Sequence, residues 1–270
     1  MTDLLSVNQD LCTSCGLCAR DCPTKVIELQ DGTPTAVKDL CIACGHCVSV
    51  CPTGAMDNRL SPLANQLPKN KALDISSEQA GQFLRARRST RSYQDHPVEK
   101  EKLTALLEMG RFAPTAENSQ GISWLIIQNK ETLRKIAKAT GEYMISFMAT
   151  RGPEQAKAAK DTFSHNEVEM LLRSAPCLAF PLAQKDNPFA GRDSAVITMT
   201  YCQLYAPTIG LGTCWAGFVE AALRAKYSPL LALLKVPEDK EISGAMMIGV
   251  PQYQHQRLPD RNPLEIIWQA

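Results

Sequence analysis

Cys12-Thr13-Ser14-Cys15-Gly16-Leu17-Cys18-Ala19-Arg20-Asp21-Cys22-Pro23 returns 29 residues later as Cys41-Ile42-Ala43-Cys44-Gly45-His46-Cys47-Val48-Ser49-Val50-Cys51-Pro52. Eight of the 11 cysteines therefore lie in the first 51 residues, in two copies of one pattern. Three cysteines at every third position, then a fourth before a proline, is the spacing of the bacterial [4Fe–4S] run. Three closely spaced thiolates bind three irons of one cubane. The fourth, where the proline turns the chain away, reaches the other cubane. The expected ligand sets are Cys12, Cys15 and Cys18 with Cys51, and Cys41, Cys44 and Cys47 with Cys22. Such a chain moves electrons one at a time and at low potential.

Two other readings of eight cysteines are weaker. A disulfide framework suits an even count in a small secreted chain. Cysteines three apart, however, hold their sulfurs badly for bridging. The start, Met1-Thr2-Asp3-Leu4-Leu5, has neither a basic nor an apolar leader segment, so no export signal is expected. A zinc ribbon needs four ligands per ion but no triplet followed by Cys-Pro. Retained thiolates point to a reducing cytoplasm.

The 270 residues suggest one large domain or two, and a hydrophobic content of 44% supports a sizeable core. The net charge of +1 hides an uneven distribution. Residues 1–58 hold seven acidic side chains against three basic ones, a net of −4, which leaves +5 for the rest. An acidic electron-transfer module thus precedes a basic remainder suited to an anionic ligand. No dense Lys/Arg run with interleaved aromatics marks a nucleic-acid surface. No apolar stretch approaches the roughly 20 residues of a membrane span. A soluble chain, with neither nucleic acid nor membrane as partner, is expected.

Between the cysteine runs, Asp31-Gly32 separates two short apolar stretches and reads as a hairpin turn. From Arg59 to Ser77 the chain bears Pro, Asn and Lys with little periodicity. This divides it into residues 1–57, a linker at 58–77, and a second domain at 78–270. Helices are expected over Glu78–Arg88 with Ser77 as N-cap, Val98–Gly110, Glu131–Met148, Pro153–Arg173 and Asp193–Gly210. Short strands are expected at Trp124–Ile127, Cys177–Leu182 and Gly244–Val250. Strands separated by long helices make a layered fold, which we take as α+β.

Arg87-Arg88-Ser89-Thr90-Arg91 follows the first of these helices, and three cations with two hydroxyls suit a phosphate and a polar ring edge. Alone, such a cluster more often marks a solvated face. Three further stretches change its weight: Ala113-Pro114-Thr115-Ala116-Glu117-Asn118-Ser119-Gln120, Gly210-Leu211-Gly212-Thr213-Cys214-Trp215-Ala216-Gly217, and Gly249-Val250-Pro251 followed by Arg257 to Leu264. In this order and spacing, residues 78–270 resemble the FMN-dependent nitroreductase family. Residues 1–57 resemble a two-cluster ferredoxin. Together the chain is similar to ferredoxin-fused nitroreductases.

The resemblance implies roles at matching positions. Arg87, Arg88, Ser89 and Arg91 would bind the flavin phosphate and pyrimidine edge. Pro114, Thr115, Ala116, Asn118 and Gln120 match a loop that reaches the flavin from the partner subunit of a homodimer. Thr115 stands for the usual Ser, and Gly121 where Pro is common. Ala216 and Gly217 would offer backbone N–H groups near flavin N5 and O4. Either Arg257 or Arg261 would meet the phosphate. No Gly-x-Gly-x-x-Gly opens a βαβ unit, so a dedicated dinucleotide domain is not expected. NAD(P)H could still stack on the flavin, and reduced ferredoxin is the other candidate donor. Cys177, Cys202 and Cys214 read as buried structural thiols, and His46 as a surface residue beside the second cysteine run.

The expected activity is electron transfer through two [4Fe–4S] clusters to FMN and on to a planar acceptor, such as a nitroaromatic, quinone or enone. No acid–base triad is needed, because the flavin carries the chemistry. The alternative is a redox relay or sensor that passes electrons to a protein partner; flavin-destroying or dehalogenating chemistry lies within the same family. Anaerobically prepared protein should contain about eight iron and eight sulfide per chain. Cys22→Ala should damage the cluster of the second run. Loss of the first cluster with the second intact, followed by EPR and iron analysis, would show the crossed ligand sets to be wrong.

Overall fold

A computed structural model describes residues 4–164, 167–187 and 191–269. The chain divides into two compact units, one running to Asp74 and including Glu117–Ser119, the other formed by Ile75–Ala116 and the residues from Gln120 onward.

In the first unit the duplicated sequence gives a duplicated backbone. Strand β1 (Leu5–Val7) precedes a short helix α1 (Leu17–Arg20), the hairpin strands β2 (Ile27–Gln30) and β3 (Thr33–Ala36), a second short helix α2 (His46–Ser49) and strand β4 (Met56–Asn58). Left-handed residues recur at equivalent places: Ser14 and Ala43 (φ 53° and 54°), Gly16 and Gly45 (70° and 71°), Lys25 and Gly54 (53° and 67°). Gly16 and Gly45 each turn the chain into a helix in a conformation that costs a glycine nothing. A side chain at Gly45 would also run into Ser61 and Gln66. The hairpin turns at Asp31 and Gly32, both with positive φ, as a two-residue turn between twisted strands requires. β1 and β4 pair antiparallel, Leu5 opposite Asn58, and close the unit. Its core is Leu4, Val26, Ile27, Val48 and Met56, with Cys18, Cys22 and Cys47 among them.

The second unit opens on α3 (Ser77–Ala86). Its N-cap is Ser76 rather than Ser77: Ser76 Oγ accepts from Gln79 N, and Gln79 Oε1 accepts from Ser76 N. This reciprocal pair fixes the start one residue earlier than composition suggested. α4 (Lys100–Gly110), β5 (Ser123–Ile127) and α5 (Lys130–Ala149) follow close to expectation. The long helix expected over Pro153–Arg173 is two, α6 (Pro153–Phe163) and α7 (Glu167–Leu172), and residues 165 and 166 lie outside the described residues. Arg173 and Ser174 then turn left-handed, at φ 54° and 55°, which ends α7 before β6 (Cys177–Gln184).

α8 (Arg192–Tyr205) tightens into a 3₁₀ turn over Ala206–Ile209, where Pro207 has no N–H for the α ladder. β7 (Gly212–Trp215), α9 (Gly217–Arg224), α10 (Ser228–Leu231), β8 (Lys240–Ile242) and β9 (Met246–Gly249) complete the described elements. Of the C-terminal strands only β9 was expected.

The sheet order is β5-β6-β9-β7, with β8 also on β6, and every pairing is antiparallel. Helices cover both faces. Leu178, Phe180 and Leu182 of β6 join Leu133, Ile136, Leu172 and Val219 of the α5, α7 and α9 layer. Cys177 and Ala179 of the same strand join Leu103, Leu106, Met199 and Cys202 of the α4 and α8 layer. Alternate residues of one strand thus serve opposite cores, so β6 reads as an unbroken apolar run. Phe180 is fully buried in the larger core. Phe180→Ala should cost about 3–5 kcal/mol in urea unfolding. A loss under about 1 kcal/mol would show that the site collapses around the gap.

Candidate functional site

The first unit gathers its cysteines into two sets. One cavity is lined by Cys12, Cys15, Cys18 and Cys51 with Val7, Pro34 and Met56. The other is lined by Cys22, Cys41, Cys44 and Cys47 with Leu5, Ile27 and Asn58. Each set takes three cysteines from one run and the last cysteine of the other, because β1 pairs with β4 and folds the two halves over each other. All eight thiols are free of disulfides. A single ion needs donors that converge on one point, whereas a cubane takes one thiolate at each of four irons. Among the described residues no three His, Cys, Asp or Glu side chains converge in that way.

The chemistry of the donors follows the duplication. Burial pushes the Cys18 and Cys47 thiols up. Burial also acts on Cys22 and Cys51, but hydrogen bonds outweigh it there and hold both thiols below their ordinary value. For Cys22 the donors are chiefly Val26 N–H, at 3.3 Å, and Thr24. For Cys51 they are chiefly Thr53. Four thiols per cavity, with backbone N–H groups aimed at sulfur, fit a pair of thiolate-ligated [4Fe–4S] clusters. His46 Nδ1 lies 3.3 Å from Asp21 Oδ2, both side chains about half exposed.

Asn118 belongs to this unit too. Its Nδ2 donates to Ile42 O and Ala43 O, at 2.9 and 3.1 Å, within the second cysteine run. Only Oδ1 is left for another partner. Glu117, Asn118 and Gln120 all have positive φ, near 50°, so this loop holds an unfavourable conformation in three places.

In the second unit, Ser89 and Thr90 run beside β7, and Ser92 to Gln94 run beside residues 250–252. Ser89 bridges Thr213, Thr90 N donates to Thr213 O at 2.9 Å, and Tyr93 Oη donates to Thr90 O. A side chain at Gly212 would collide with Thr90 and Pro251, so glycine there lets the segment lie close. This brings Ser89 beside the strand that carries Cys214. Burial pushes the Cys214 thiol up, while Arg91, Ser89, Arg173 and Arg87 pull it down. Arg173, at the left-handed end of α7, was not expected in this cluster. Thr213 Oγ1 is buried with no hydrogen-bond partner among the described residues. Three guanidinium groups and this hydroxyl suit a phosphate monoester. Arg88 is half-buried in the same segment.

Beyond β7 the chain enters α9 at Ala216-Gly217. Ala216 N–H donates to Ala245 O at 2.9 Å and is engaged. Gly217 N–H sits at the first turn of the helix, where the α ladder offers no acceptor. A methyl added at Gly217 would meet no atom within 4 Å. Of the two amides expected to face a ligand, Gly217 is therefore the one positioned to donate. Behind it stands Glu220, whose side chain is 5% exposed. Its Oε2 takes Arg224 Nη2 at 2.8 Å and Arg192 Nη2 at 3.2 Å, and its Oε1 accepts Ala245 N at 3.1 Å. Arg192 also lies over the Trp215 ring, 5.8 Å from its centroid. The carboxylate thus fixes Ala245, and Ala245 fixes Ala216. Sequence reading passed over this triad, although Glu220 and Arg224 at i and i+4 in an apolar helix were a visible signal.

Thr115 and Gln120 line a separate cavity of about 230 Å³ with Thr104, Leu107, Trp124 and Thr198. Thr115 Oγ1 accepts from Gln120 N at 3.0 Å. Pro114 and Ala116 are exposed on either side of Thr115. Arg257 and Arg261 fall in the exposed stretch after Pro251, where Arg261 turns back to donate to Asp260 O. No described helix is long and apolar enough to cross a membrane.

Residues 84–250 match the profile of the nitroreductase family, and residues 11–56 match the 4Fe-4S dicluster domain. The FMN reductase [NAD(P)H] of Bacillus subtilis (strain 168) is 25% identical over 186 residues, 67% of this chain and 68% of that protein. The second unit's fold is that of a nitroreductase with bound FMN from Desulfitobacterium hafniense DCB-2 (TM-score 0.56, 17% identity, 72% of this chain and 100% of that one). It is also that of a nitroreductase with bound FMN from Bacteroides fragilis NCTC 9343 (TM-score 0.53, 19% identity, 74% and 100%).

The Glu220 triad gives an ordered pair of outcomes. Glu220→Ala leaves two half-solvated arginines and one unpaired Ala245 N–H, a cost of about 1–3 kcal/mol. Arg192→Ala with Arg224→Ala strands a buried carboxylate, a cost of about 3–5 kcal/mol. Urea unfolding should rank the arginine pair as the worse loss, and the reverse order would mean that the carboxylate is better hydrated than its burial indicates.

Proposed function

Because the chain belongs to the nitroreductase family and carries a 4Fe-4S dicluster domain ahead of it, we propose that it is an FMN-dependent oxidoreductase fed through an iron–sulfur relay. The observation that carries this reading is the pairing of two four-cysteine cavities with an arginine-lined edge of β7 in one chain. Bound there, the clusters would supply electrons singly and FMN would deliver them in pairs. Cys12, Cys15, Cys18 and Cys51 hold one cluster, and Cys41, Cys44, Cys47 and Cys22 the other. Arg87, Arg91 and Arg173 neutralise the FMN phosphate, Ser89 hydrogen-bonds it, and Gly217 N–H donates to the polar edge of the ring. Arg88 adds to that pocket, and the Pro114–Gln120 loop would reach the flavin of the partner subunit.

The acceptor is a small planar organic molecule, and the electron donor is reduced ferredoxin or NAD(P)H, in the cytoplasm. The relative from Bacillus subtilis bears NAD(P)H in its name, which supports the second donor. The functional form is a homodimer with FMN sites shared across its interface. In support, Leu264, Ile267 and Trp268 lie in the exposed C-terminal stretch, Trp268 85% exposed, an apolar surface that a second copy would cover.

Anaerobic protein given dithionite or NAD(P)H should reduce a nitroaromatic or quinone with no added protein, at a rate well above that of the reductant alone. Turnover that requires a partner protein would instead make the chain a relay. The extracted flavin should be FMN, and Arg87→Ala should weaken its binding by about 2–5 kcal/mol. Mixing Arg87→Ala chains with Gln120→Ala chains should restore one complete site per mixed dimer. Full flavin occupancy in a monomer, seen by light scattering and absorbance, would rule out shared sites.

A further inference from the structure

The two cysteine sets are close copies, and one side chain breaks the copy. Thr24 Oγ1 lies 3.8 Å from Cys22 Sγ, and its equivalent 29 residues on, Thr53 Oγ1, lies 3.7 Å from Cys51 Sγ. These contacts give each set one hydroxyl. Asn58 has no such counterpart. It ends β4, is 3% exposed, and its Nδ2 lies 3.6 Å from Cys47 Sγ and 3.8 Å from Cys41 Sγ. The amide is not free to turn, because its Oδ1 accepts Leu60 N–H at 2.9 Å. The two N–H bonds of one NH₂ group therefore point at two sulfurs of one set. The equivalent position in the other half is Leu29, an exposed side chain without a donor.

We propose that Asn58 makes the two cluster sites unequal, raising the reduction potential of the Cys41, Cys44, Cys47 and Cys22 site above that of the Cys12, Cys15, Cys18 and Cys51 site. The inference rests on the cluster reading above. Reduction adds one electron to a site and makes its sulfurs more negative. A hydrogen bond from a buried, neutral amide stabilises that added charge more than it stabilises the oxidised form. Burial strengthens the effect, since little water competes for the sulfurs. A single electron delivered to the unit by dithionite would then reside mainly at the Cys41 set. Asn58 is a positioning residue here, since it touches the sulfur ligands.

The experiment is an EPR-monitored redox titration of the anaerobically purified full chain, with dithionite as reductant and iron and sulfide counted in every sample. Wild type should show two resolved one-electron transitions. Asn58→Leu, which removes both N–H bonds without adding charge, should lower the upper transition alone. The expected change is at least tenfold in the electron's partition between the sites, about 59 mV for a one-electron couple. Asn58→Asp keeps the acceptor for Leu60 N–H and loses the donor, so it should shift the same transition in the same direction even if the leucine variant assembles poorly. Unresolved transitions in wild type would overturn the proposal without any variant. So would an upper transition that stays put, or two transitions that move together, in a variant retaining about eight iron. Wild type without cubane signals or iron would instead remove the cluster reading itself.

Discussion

Sulfur occupies the centre of the first unit. Cys18, Cys22 and Cys47 are as buried as the aliphatic side chains beside them, and the remaining core is little more than Leu4, Val26, Ile27, Val48 and Met56. An interior of that size cannot offset the chain entropy of a unit so short by apolar burial alone. Thiolate–iron bonds supply the difference, and metal-site formation and folding become one process. The backbone is shaped for this outcome. Left-handed residues at Ser14, Gly16, Ala43 and Gly45 bend each run around its cavity, with Cys18 and Cys47 turned into the core.

The second unit answers to a different constraint. Its sheet is covered on both faces, so the groups proposed to bind a ligand lie off the sheet surface, beside strands and where they end. Ser89 and Thr90 pair with β7, Arg173 stands at the turn into β6, and Gly217 opens α9 one residue after β7. Gly212 permits the close approach of Thr90, and Glu220 with its two arginines fixes the turn that follows. The rigid layers thus hold the loops, and the loops hold the chemistry.

Sequence reading worked where a local signal was strong. Cysteine spacing, the Asp31-Gly32 hairpin and the amphipathic stretches of α4, α5 and α8 all carry their own periodicity or turn chemistry. It missed β1, β4 and β8, each three residues long and too short to show alternation. β7 was seen only as a glycine-rich segment, because Gly210 makes the left-handed turn before it while Gly212, inside the strand, serves close packing. The break between α6 and α7 has no proline or glycine to announce it. Arg173 and Arg192 were out of reach for another reason. Their partners lie far along the chain, and only the folded sheet brings them together. Asn58 was legible in principle, as the one polar residue standing where the 29-residue repeat has Leu29.

The titratable groups of the second unit's interior show what kind of catalyst it can be. Burial holds the Cys177 and Cys202 thiols up at about 12, and it raises the Tyr93 phenol further above its ordinary value. Each stays protonated and neutral across the physiological range, so none can exchange a proton near pH 7. Ala216 N–H and the Asn118 amide are likewise committed to carbonyls. What the proposed site offers a ligand is instead a set of fixed charges and dipoles: the guanidinium groups whose charges act on Cys214 and the first-turn N–H of Gly217 at the start of an eight-residue helix. Such groups need no reorganisation as charge develops on a bound ring. Such a set of fixed groups suits a bound redox cofactor, which would then carry the electron chemistry.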